Sequence, residues 1–177
     1  MKKESVIAIG SVLVGVFSLS FSVNERAQAQ AIHFNRAPKV LKGGWETNDR
    51  KLKVHSDPRI HYVVTDLYVT NKEFHLEDFT MDKHKENLFN SGPYGSFARK
   101  HHKLAFRKIS NRHYVITGDY SAMSGEYKSG YQVYLSKNHR SMKVYRYAKI
   151  KRPGYVKGHR YTVGNFHKLK VRPTAER

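Results

Sequence analysis

The sequence predicts an all-β domain, and three observations lead there. Tyr, Val, Leu and Met alternate with polar residues in many short runs, turn chemistry built on Asn, Gly and Pro separates those runs, and no stretch sustains a helical period. The clearest pair is Gly130-Tyr131-Gln132-Val133-Tyr134-Leu135 and Ser141-Met142-Lys143-Val144-Tyr145-Arg146-Tyr147, joined by a polar connection containing Asn138. This is the pattern of an antiparallel hairpin. Tyr131, Val133, Leu135, Met142 and Val144 form its apolar face, and Gln132, Tyr134, Lys143, Tyr145 and Tyr147 its solvated face. Consecutive hairpins of this kind need their edges hidden, so one antiparallel meander closed into a barrel is expected. A two-sheet sandwich satisfies the same alternation.

Taken in order, the chain opens with Lys2 and Lys3, an apolar run from Val6 to Val23, and the small-residue site Ala27-Gln28-Ala29. That order predicts a secretory leader over residues 1–29, cleaved after Ala29 with Ala31 as a second site. A retained anchor is the alternative, because the run approaches the length of a membrane span. Residues 30–37 have no period and read as a flexible lead-in, 38–172 as the β domain, and 173–177 as a disordered tail. Within the domain, Gly43-Gly44 lets the backbone bend where Trp45, the only tryptophan, starts a strand as a core plug. Ile60 to Thr70 and Glu73 to Phe79 form a hairpin with Phe74 and Leu76 inward. Met81 to Arg99 reads as a long surface excursion, with a short helix beginning at Asp82. Leu104 to Lys108 and Tyr114 to Tyr120 form a third hairpin. After the central hairpin, Tyr161 to Val163 and Phe166 to Val171 form a last pair broken by Gly164-Asn165.

Just inside the mature start, Pro38, Leu41, Lys42, Gly43, Gly44 and Trp45 precede Tyr- and Lys-rich strands. In this the chain resembles the lipocalin-like small secreted proteins of lactic acid bacteria. The resemblance implies a calycin-type barrel with Trp45 closing one end, and a late-strand arginine over the tryptophan, for which Arg146 is the candidate. It carries no activity with it.

Removing the leader takes Lys2, Lys3, Arg26, Glu4 and Glu25, leaving 30 basic against 12 acidic residues and a formal charge of +18. From Lys137 onward there are thirteen Lys or Arg and one acid, Glu176, whereas Glu73, Glu77, Asp78, Asp82 and Glu86 cluster in the middle. Such polarity favours polyanions, and it also serves as a solubilising surface. The chain has no cysteine, which excludes thiol catalysis and disulfide stapling. His101-His102 and His84 near Glu86 lack the spacing that aims two imidazoles at one metal ion. No Gly-x-Ser-x-Gly elbow occurs, and a nuclease trio of Glu126, His102 and Arg107 is one that any basic chain of this size offers.

The expected function is therefore that of a secreted, non-catalytic module, possessing no cofactor and retained at the cell surface by an anionic cell-wall polymer or other polyanion. The expected contacts are Lys143, Lys149, Lys151, Arg152, Lys157 and Arg160. His139, His159 and His167 would add charge as pH falls below about 6.5. Tyrosines beside basic residues suit stacking on a ligand, although cross-strand packing on an exposed sheet face is the commoner reason for such a pattern. Carriage of a small apolar ligand in the barrel interior is the alternative, and a secreted hydrolase the remaining one.

Overall fold

The computed structural model describes residues 31–53, 56–99, 103–119 and 130–170. The expected leader, 1–29, and the tail, 173–177, lie outside the described residues. The strands are β1 (Ile32–Phe34), β2 (Gly43–Thr47), β3 (Arg50–Lys51), β4 (Tyr62–Val69), β5 (Glu73–Met81), β6 (Asn87–Asn90), β7 (Tyr94–Phe97), β8 (Ala105–Ser110), β9 (His113–Thr117), β10 (Gly130–Leu135), β11 (Ser141–Arg152) and β12 (Tyr155–Lys168). They form one antiparallel sheet in the order β1-β8-β9-β10-β11-β12-β2-β4-β5-β6, with β3 on β4 and β7 on β5. No helix occurs among the described residues.

Alternation sets the two faces. Leu67 pairs with Leu76 and Val69 with Phe74 across β4 and β5, Val133 pairs with Val144 and Leu135 with Met142 across β10 and β11, and Phe106 pairs with Ile116 across β8 and β9. All ten side chains belong to one buried cluster with Trp45, Leu41, Tyr131 and Phe166. The opposite face of β4 and β5 holds a smaller cluster of Val64, Phe79 and Met81. Burying a large aliphatic or aromatic side chain contributes about 1.5–3 kcal/mol, so this core can hold the sheet without disulfides.

Several expectations are corrected. The lead-in carries β1, because Ile32–Phe34 finds an edge on β8, and Asn35 Oδ1 accepts from Leu104 N at 2.9 Å. The excursion after Met81 is two short strands along β5. Its expected helix start is a turn in which Asp82 Oδ1 accepts from the backbone N–H groups of His84 and Glu86. The last hairpin is instead one 14-residue strand, β12, which carries an irregularity in its pairing where Val144-Tyr145 faces Gly164 and Thr162. Gly164 sits where a Cβ would lie 2.7 Å from Thr47 Cγ2, so the bend there lets β12 approach β2.

Continuous closure into a barrel is not met. The free side of β7 touches the chain after β9 at a single bridge, where Phe97 and Asp119 exchange hydrogen bonds of 2.7 and 3.0 Å. Pro93, without an N–H, lies between β6 and β7 and interrupts the strand that a full ladder would need. Gly95 holds β7 against β5: its φ is +137°, and a Cβ there would stand 2.0 Å from the Phe74 carbonyl oxygen. Gly95→Ala should therefore cost at least about 2 kcal/mol through strain and displacement of β7, read as a lowered urea midpoint. An unchanged midpoint would show that β7 contributes little to the sheet.

Candidate functional site

From Gly130 through Lys170 there is no carboxylate, and this segment forms the three adjacent strands β10, β11 and β12. The acidic side chains gather across the sheet, with Asp66, Glu73, Glu77 and Asp78 on β4 and β5. Sequence polarity becomes spatial polarity because β10, β11 and β12 pair consecutively.

On the outer face of β9 to β12, alternation places His113 opposite Tyr134, Gln132 opposite Tyr145, and Tyr147 opposite Arg160. The rings touch. His113 stacks on Tyr134 with centroids 4.1 Å apart, and Tyr134 meets Tyr145 edge-on at 5.8 Å. Gln132 Oε1 accepts from Tyr134 OH at 2.9 Å and from Tyr147 OH at 3.1 Å, which fixes both ring orientations. Two cations cover Tyr145: the Arg160 guanidinium at 4.3 Å and Lys143 Nζ at 5.2 Å from its centroid. The result is a preset platform of aromatic rings under positive charge.

The far part of the β11–β12 ribbon continues the same character. Lys149, Lys151, Arg152 and Lys157 are exposed, and Lys149 lies directly opposite Lys157. Like charges across a strand pair oppose folding, and an anion between them would relieve the repulsion. The tip is held in place. Gly154 N donates to Thr117 Oγ1 at 2.7 Å, and Tyr155 lies between the guanidinium groups of Arg107, 3.7 Å, and Arg152, 4.0 Å. The Arg107 hydrogen bond, with help from Arg152, lowers the pKa of the Tyr155 hydroxyl.

The six expected polyanion contacts thus share the β11–β12 ribbon, whereas the expected histidines are spread from its far part to its opposite end. His159 sits on it, edge-on to Tyr161 at 4.6 Å. His139 belongs to the β10–β11 turn, and His167 pairs with Ser141 and Glu46. At about 3.3 Å per residue, both lie roughly 40 Å along the ribbon from its tip. His167 also lies opposite Glu46, the acidic residue of β2.

His113, which sequence reasoning missed, is part of the platform because β9 pairs with β10. Burial pushes its pKa below the usual histidine value, Arg107 adds to that, and a hydrogen bond with Gln132 opposes it. The folded protein therefore favours neutral His113. Its contribution to stability is full above about pH 6.5 and declines as pH falls from there toward the depressed folded value. His113→Phe should flatten the loss of melting temperature over that acidic window, and an unaltered pH profile would contradict the assignment.

Trp45 is fully buried, and its Nε1–H donates to the Leu41 carbonyl at 2.8 Å. The cation over its ring is Lys168, 5.1 Å from the centroid, and not the expected Arg146. The reason is register: Lys168 pairs with Trp45 across β12 and β2, whereas Arg146 pairs with Tyr131 and Tyr161. Arg146 instead lines a pocket with Asp78 and Tyr94. Burial, and then Asp78, raise the pKa of the Tyr94 hydroxyl, which keeps it a donor.

An open cleft of about 650 Å³ lies beside β1 and β8, with Phe106 and Tyr114 in its wall and His33, Arg36, Lys39, Lys42 and Lys108 among its other residues. Among the described residues no three His, Asp or Glu side chains group to hold a metal. Of the nuclease trio, Glu126 and His102 lie outside the described residues, and Arg107 is engaged on Tyr155. No protein-family model, curated protein or solved structure matches the chain.

Proposed function

We propose that this chain is a secreted, non-catalytic module that holds an anionic cell-wall polymer on the outer face of β9 to β12 and the β11–β12 ribbon. The observation that carries the reading is the carboxylate-free surface itself, in which Lys143 and Arg160 lie over Tyr145, and Lys149 faces Lys157 without an acid between them. Cations at fixed spacing supply sequence-independent attraction to a charged backbone, and tyrosine rings add contact with its flat or apolar units. Secretion rests on the leader-like residues 1–29, and export makes a wall polymer a more accessible polyanion than nucleic acid.

For the scaffold the reading is an open, lipocalin-like barrel. Its support is that β12 pairs with β2 and that Phe97 and Asp119 bridge the other flanks of the meander. The alternative, carriage of a small apolar ligand, is favoured by the cleft walled by Phe106 and Tyr114, although its basic neighbours suit an anionic group better.

The test is to incubate the mature protein with its own purified walls before and after extraction of their anionic polymer. Retention on intact walls and its loss after extraction is the expected result. Equal retention on both, or none on either, would overturn the reading.

A further inference from the structure

Arg146 has a phase opposite to that of Tyr145 and Tyr147, so it projects to the core face, where its neighbour on β10 is the buried Tyr131. It makes no hydrogen bond or ion pair among the described residues, and its Nε is fully buried without an acceptor. The residue is half-buried, and that Nε has lost water without gaining a partner. It borders a pocket of about 380 Å³, a size that suits a small ligand, together with Asp78, Tyr94, Arg50 and Tyr161.

The carboxylate in that pocket is already engaged on one side. Asp78 Oδ1 accepts from Thr65 Oγ1 at 2.6 Å and from Tyr94 OH at 3.0 Å, which leaves Oδ2 as an acceptor. A ligand must therefore bring an anionic group for Arg146 and a hydroxyl to donate to Asp78. Tyr161, exposed and steadied by His159, offers a ring face to a flat saccharide surface.

We propose that this pocket is a binding site for an anionic monosaccharide, a sugar acid or a sugar phosphate. Arg146 holds the anion, Arg50 adds positive charge, and Asp78 Oδ2 takes a ring hydroxyl. The site lies on the face of β11 opposite the tyrosine platform and does not rest on the polymer reading. The absence of wall retention would leave it untouched.

Isothermal titration of the whole mature protein with glucuronate, glucose 6-phosphate and glucose tests it. At least one anion should bind saturably and more tightly than glucose, and the tighter anion identifies carboxylate or phosphate as the group held. Arg146→Met should weaken that anion by about 10- to 100-fold, the range for a charged hydrogen bond. Because Arg146→Met could also fail to fold, Tyr161→Ala, at an exposed position, is the second variant and should weaken the same anion several-fold. No anion binding, glucose binding as tightly as the anions, or unchanged affinity in the folded variants would overturn the proposal.

Discussion

Trp45→Ala is expected to lower the unfolding free energy by about 3–5 kcal/mol, a large fraction of what a domain of this size possesses. The side chain is fully buried with Leu41, Leu67 and Phe166 in the main core, so its truncation would open a large cavity there. Its indole N–H would also vanish from the Leu41 carbonyl, opening the turn between Pro38 and Leu41 that leads into β2. Trp45→Phe separates the two effects, since it keeps most of the apolar contact and loses only the hydrogen bond, worth about 0.5–1.5 kcal/mol. Urea unfolding followed by circular dichroism measures both. A midpoint for Trp45→Ala equal to that of the parent would remove the tryptophan as the plug of this sheet.

The second large effect concerns binding. Lys149→Gln, Lys151→Gln and Lys157→Gln together should weaken attachment to an anionic polymer by about 3 kcal/mol, roughly 100-fold, at about 1 kcal/mol for each cation near a charged surface. Stability should hold or rise, because the variant removes the direct Lys149 to Lys157 opposition. That combination of lost binding and retained folding is what a purely solubilising surface would not give. Undiminished retention of the triple variant would move the site elsewhere.

What the sequence made legible was local. The hairpins of β4 with β5, β8 with β9 and β10 with β11 follow from alternation and turn residues within about 20 positions, and their inward side chains lie where alternation puts them. Strands β1, β6 and β7 were not legible, since each is short and is stabilised by a partner strand more than by its own pattern. Trp45 stood out by its type and neighbours. Its cation did not, because Lys168 reaches it only through the pairing of β12 with β2, over 120 residues apart in the chain. The six ribbon cations were visible as a charge run, whereas the stacking of His113 on Tyr134 and the pocket of Asp78, Tyr94 and Arg146 each need strands brought together from separate hairpins.

The most direct measurement of the central claim is retention of the mature protein on purified cell walls across a salt series, at about pH 5 and about pH 7.5. A polymer held by the ribbon predicts a logarithm of affinity that falls linearly with the logarithm of salt, tighter retention at the acidic pH, where a histidine of ordinary pKa carries more charge, and a slope reduced by about three units in the triple lysine variant. Retention that ignores salt, and is the same for the parent and the triple variant, would contradict it.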